Sequence, residues 1–223
     1  MQATTVPEAM ISSALLDKKY SVTARFEGAY RPVLEITLES HRSPTRVAAI
    51  VVMMNPGSSE PKPGFGQGKG MVPTKPDPTQ YQVMRLMERC QWSRVRVLNL
   101  SDLQNRSSAK FLEEINRLGD DISHSIFSPK RTKELQAALE RAPGAPIILA
   151  WGCHSGLEPL AKLAREALKG EKRIVGKEGA RGGWRYWHPL LRNAKFQRQW
   201  FGEVHCTTSP QIARIKRTAT YLQ

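Results

Sequence analysis

Apolar and polar residues alternate over 20–26 (YSVTARF) and 32–38 (PVLEITL), the period of strands with one buried face. Glu27-Gly28-Ala29-Tyr30 between them supplies turn chemistry, which predicts an N-terminal β-hairpin covering one edge of a larger sheet. Residues 46–54 (RVAAIVVMM) are a continuous β-branched apolar run instead, as expected of a strand buried on both faces. Runs of the same kind occupy 94–100 (RVRVLNL) and 146–151 (PIILAW), and 173–175 reads as a short fourth strand. Helical spacing appears over 79–90, 110–118, 130–141 and 156–168. Strands alternating with helices predict an α/β fold: a three-layer α/β/α sandwich around a central, mostly parallel sheet, with ligands gathering at the carboxyl ends of its strands. A single domain is expected over 20–223, after a weakly ordered lead-in over 1–19.

Between residues 58 and 78 the chain is crowded with Gly and Pro and reads as a long loop, a flexible lid over a site. Its segment Gly64-Phe65-Gly66-Gln67-Gly68-Lys69-Gly70 is not a phosphate loop. Gly70 stands where Ser or Thr must follow the lysine, and Pro63 where the first glycine belongs.

The chain has 223 residues, and 34 Lys and Arg against 20 Asp and Glu give a net charge of +14. Such an excess favours a polyanion through counterion release, so nucleic acid is the expected partner. No apolar run approaches the roughly 20 residues of a membrane helix. The first residues lack the features of a signal peptide, so no membrane association and a cytoplasmic location are expected. Cys90, Cys153 and Cys206 form neither a disulfide framework nor a metal knuckle, and the histidines show no ligand spacing. No metal, no cofactor and a monomer are expected.

Three strand ends carry polar residues that packing alone does not require: Asn55, Asn99, and His188 after the run Trp184 to Trp187. Taken singly, Asn-Pro-Gly is also ordinary turn chemistry and His-Pro an ordinary loop. In this order they resemble the uracil-DNA glycosylase superfamily over residues 46–196. Asn55-Pro56-Gly57 is similar to the water-activating motif of the mismatch-specific and thymine-DNA branch. Val97-Leu98-Asn99-Leu100 is similar to the strand whose Asn reads the extruded base, and Ile148-Leu149-Ala150-Trp151-Gly152 to a Leu-Trp-Gly strand of the same fold. His188-Pro189-Leu190-Leu191 resembles a late loop carrying a catalytic His and an intercalating Leu. The series also resembles an uncharacterised bacterial and phage family with a Met-Asn-Pro-Ser motif.

The resemblance implies a monofunctional DNA glycosylase that flips a base out of the helix and hydrolyses its N-glycosidic bond. Asn55 would orient a water, since an amide cannot act as a general base, and His188 would stabilise charge on the departing base. Asn99, Gly57, Phe65 and Asp102 would form the base pocket. Gly57 stands where the uracil-specific branch has a Tyr that blocks the pyrimidine 5-position, so a 5-substituted base, hydroxymethylated or glucosylated cytosine of phage DNA included, is the expected substrate, in antiviral defence or repair. Leu191, with Leu190 second, would fill the vacated stack, although either Leu could equally be core. Ser58, Ser59, Arg185, Arg192, Lys195 and Arg198 would hold the DNA. The alternatives are a non-catalytic nucleic-acid-binding module of the same fold, or a hydrolase of free nucleosides or nucleotides. Asp102 is also a common turn or cap residue at such a junction.

Overall fold

The structure, a computed structural model, describes residues 11–40, 46–66, 68–191 and 193–208. Helix α1 (Ser13–Lys19) leads into β1 (Tyr20–Glu27) and β2 (Tyr30–Leu38), followed by β3 (Ala49–Met53), β4 (Glu60–Pro61) and β5 (Gly68–Lys75). Then come α2 (Pro78–Cys90), β6 (Arg94–Asn99), α3 (Ser108–Leu118), α4 (Thr132–Ala138), β7 (Ile147–Leu149), α5 (Glu158–Ala167), β8 (Ile174–Val175) and α6 (Ala194–Thr208). The strands form one eight-stranded sheet in the order β4-β5-β1-β2-β6-β3-β7-β8.

This sheet is mixed, which corrects the expectation of a mostly parallel one. Strands β6, β3, β7 and β8 run parallel, with Val51 opposite Val97 and Ile148. The pairs β2/β6, β1/β2, β1/β5 and β4/β5 are antiparallel. The cause is local: β1 and β2 are joined by a turn with Gly28 at φ 61°, and so short a connection permits only antiparallel pairing. The expected hairpin is present, but it lies inside the sheet because β5 pairs with β1 on its outer side.

That outer strand comes from the Gly- and Pro-rich segment expected to be a lid. Pro73 is tolerated within β5 because its carbonyl, and hence its missing N–H, faces β4, which contributes only two paired residues. Pro73 O accepts from Lys62 N at 2.8 Å. The lead-in also carries more order than expected. Ser12 caps α1 by accepting from Leu15 N, and Leu16 is fully buried.

The sheet separates two apolar clusters, as strand alternation requires. Ala49, Val51 and Met53 pack with Val83, Met84 and Leu86 of α2 and with Trp200 and Val204 of α6. Ile50 and Val52 pack with Phe111 of α3, Leu135 of α4 and Leu160 of α5. Trp200 is among the largest fully buried side chains, so Trp200→Ala is expected to cost about 3–5 kcal/mol in urea-induced unfolding. A loss below about 1 kcal/mol would show that α6 is not part of the core. No helix among the described residues is long and apolar enough to cross a membrane.

Candidate active site

Strand β3 stays paired with β6 past its last residue, since Leu100 N and Ser101 N donate to Met53 O and Met54 O. Pro56 then ends the strand, and Gly57, at φ 68°, turns the chain through a conformation that costs an L-residue about 1–2 kcal/mol. Asn55 is thereby held at the carboxyl end of the sheet. Its Nδ2 donates to Asn105 O at 2.8 Å, which fixes the amide and leaves Oδ1 as the atom able to accept from water. Asn105 is itself anchored, its Oδ1 accepting from Ser107 N at 3.0 Å where the chain enters α3.

His188 reaches the same place from far along the chain. Trp151 Nε1 donates to Trp184 O at 2.8 Å and Gly152 N to Tyr186 O at 2.7 Å, which lashes the 184–187 run to the end of β7. Gly152 adopts φ 105°, open in practice only to glycine. Beyond it, His188 Nδ1 accepts from Leu190 N at 3.1 Å. The ring is therefore the neutral tautomer with its proton on Nε2, a donor. Burial pushes its pKa down to about 4. Gln197 of α6 donates to Leu191 O and accepts from Gln82 of α2 at 2.9 Å, so two helices brace this loop.

Asn55, Gly57, Ser58, His188, Leu190 and Leu191 all line one cleft of about 610 Å³, at the carboxyl ends of β3 and β7. Its volume lies within the range of small-molecule sites, with room for more than a lone nucleobase. A second groove of about 610 Å³ lies at the other ends of the strands, between residues 136–145 and 170–173. Its arginines are already committed: Arg141 pairs with Glu171 at 2.5 Å, and Arg173 donates to Gly144 O at 2.7 Å and Thr208 O at 2.7 Å. The first cleft is the candidate site.

Other expected site residues fall elsewhere. Asn99 is buried 1% exposed beneath the cleft, with neither amide atom bonded, and is not part of the cleft wall. Its neighbour two positions earlier, Val97, does line the cleft. Asp102 is fully buried away from the wall, 2.7 Å from Arg131. Burial raises its pKa to about 6 against the pull of that arginine. Phe65 is exposed on the β4–β5 connection, outside the cleft lining. Ser59 is buried and its hydroxyl donates to Lys75 O at 2.9 Å, so it serves the β4–β5 pair rather than a ligand. Arg185 stacks on the Trp184 ring at 4.3 Å, while Lys195 and Arg198 are exposed on α6. Arg192 lies outside the described residues. Of the two leucines, Leu190 is exposed and Leu191 partly buried.

The space beside Gly57 is not empty, contrary to expectation. A methyl group built on Gly57 would stand 2.9 Å from Asp77 Oδ2. Asp77 caps α2: its Oδ1 accepts from Thr79 N at 2.9 Å and Gln80 N at 3.0 Å, and Gln80 Oε1 accepts from Asp77 N. Burial pushes its carboxyl pKa up, against Arg31 and the backbone donors of Gln80, Thr79 and Ser58. Arg31, 2% exposed, also lines the cleft, and burial lowers its pKa to about 10. Asp77-Pro78-Thr79-Gln80 spells a capping box that the sequence offers, whereas nothing in Tyr30-Arg31-Pro32 marks Arg31 as a site residue. Because Gly57 combines a left-handed backbone with this contact, Gly57→Ala is expected to lower stability by about 1–2 kcal/mol or more on chemical unfolding. Wild-type stability would contradict the packing described.

Among the described residues, no group of three His, Cys, Asp or Glu side chains could hold a metal ion. Comparison with protein-family models, with curated proteins and with solved structures finds no match to this chain.

Proposed function

We propose that this protein is a monofunctional DNA glycosylase, a monomer on a three-layer α/β/α arrangement of the uracil-DNA glycosylase kind, that flips and excises a 5-substituted or mismatched pyrimidine. The observation that carries this reading is the convergence of Asn55, His188 and the Leu190-Leu191 tip on one cleft, from chain segments more than 130 positions apart. A turn residue and a loop histidine with only structural duties have no reason to share a cavity.

Cleaving the bond between base and deoxyribose builds positive charge on the sugar and negative charge on the base, as in other oxocarbenium-like reactions. Asn55 Oδ1 accepts a hydrogen from water and aims the oxygen at the anomeric carbon. The new C–O bond forms as the C–N bond breaks, the electron pair leaves on the base, and the water gives up a proton to solvent. His188 Nε2–H donates to the base carbonyl oxygen on which charge collects. No lysine lines the cleft among the described residues, which suits hydrolysis to an abasic site rather than Schiff-base strand cleavage. Leu190, the more exposed of the pair, enters the vacated stack, with Leu191 behind it. Ser58 at the cleft and Arg185, Lys195 and Arg198 around the loop hold phosphates. Defence against phage with modified DNA, or repair, in the cytoplasm are the settings such an activity suits.

The test is mass spectrometry of bases liberated from plain and 5-modified DNA. Release of a 5-substituted pyrimidine is the expected result. Release of unmodified uracil alone would overturn the substrate assignment. No release of any base, with DNA still bound, would leave the binding-module reading.

A further inference from the structure

Arg31 is a buried cation with unmade bonds. Its Nε and Nη1 have no hydrogen-bond partner, although the residue is 2% exposed and lines the cleft. Leaving donors of a charged group unsatisfied in the interior is costly, so a purely structural role explains the residue poorly. Asp77 lies on the same cleft, 9% exposed. Its carboxylate accepts the backbone N–H groups of Thr79 and Gln80 on Oδ1 and a further one from Ser58, and Oδ2, which stands over Gly57, keeps lone-pair capacity toward the cleft. One wall thus presents donors from Arg31 and an acceptor from Asp77.

We infer that Arg31 and Asp77 read the base, and that they select a 4-aminopyrimidine, a cytosine derivative, over the uracil or thymine analogue. This rests on the glycosylase reading of the same cleft. Cytosine carries an amino donor at position 4 and acceptors at N3 and O2 along one edge, the complement of a carboxylate beside free guanidinium donors. Uracil and thymine place a carbonyl oxygen at position 4, where it would oppose the Asp77 carboxylate, lone pair against lone pair. A site built to bond a polar group rejects an analogue lacking it far more strongly than an apolar pocket rejects a change of size. With the amino group on Asp77 and N3 toward Arg31, O2 is left for His188.

The experiment uses one duplex with a single target position occupied in turn by deoxycytidine, 5-hydroxymethyldeoxycytidine, deoxyuridine or 5-hydroxymethyldeoxyuridine. Wild-type protein is compared with Asp77→Asn. Asparagine caps a helix about as well as aspartate, so the variant keeps α2, a melting curve registers the loss of the charge facing Arg31, and the new amide can donate to a carbonyl at position 4. At equal 5-substitution, the cytosine form is expected to be released about 10²-fold faster by the wild type, and Asp77→Asn to shrink or invert that ratio by at least about tenfold. A wild-type preference for the uracil form, or a ratio unmoved by Asp77→Asn, overturns the inference while leaving the glycosylase reading intact. If none of the four bases is released, the glycosylase reading fails, and calorimetric binding of the two 5-hydroxymethyl nucleosides decides: preference for the cytidine supports base reading by this wall, and equal or undetectable binding overturns it.

Discussion

Asn55→Ala is expected to slow base release by roughly 10³-fold while leaving DNA affinity within a few-fold of wild type. The substitution removes an amide whose orientation is fixed at the cleft, through Nδ2 to Asn105 O, and with it the acceptor that aims water at the sugar. It takes no charge from the phosphate-binding surface, so affinity should survive. Single-turnover release kinetics and a binding titration on the same oligonucleotide separate the two effects. Equal losses in both would mean that Asn55 holds DNA rather than water.

His188→Ala is expected to cost about 10²-fold in release rate, the scale for removing one donor to developing negative charge. The pH dependence sharpens this. An ordinary histidine would titrate near 6.5, whereas burial holds the His188 ring neutral until pH falls toward about 4. Protonating Nδ1 would also break its bond from Leu190 N, which positions the loop. The unprotonated form is thus the working one, and kcat/KM should stay level for this group from pH 8 down to about 5, falling only below that. A break near 6.5 that disappears in His188→Ala would show instead that an ordinary, exposed imidazole acts at the site.

Residues that end an apolar run were the legible ones. Asn55 closes the most continuous β-branched stretch of the chain, and His188 follows an aromatic run tied to the end of β7, so chemistry and strand end coincide in the sequence. Asn99 also ends a strand, on the face of the cleft-lining Val97 and opposite the cleft-lining Met53, but at 1% exposure it stops short of the wall itself. Asp102 and Ser59 were captured by Arg131 and by Lys75 O, partners that no local pattern announces. Arg31 and Asp77 are 46 positions apart and meet only because β2 and the start of α2 flank one cleft, a tertiary fact. Two elements were hidden for compositional reasons. Strand β5 is written in Gly, Lys and Pro and owes its existence to the edge that β1 offers it. Helix α6 buries Trp200 and Val204 amid Lys, Arg and Gln, too sparse a stripe to stand out from a basic tail.

The most direct measurement is a crystal structure of the protein with an oligonucleotide whose target nucleotide carries a 2′-fluorine that blocks cleavage. The target base should lie in the cleft between Asn55 and His188, with Leu190 in the gap it left. A base still stacked in the duplex, or DNA bound on any other face, would contradict the account.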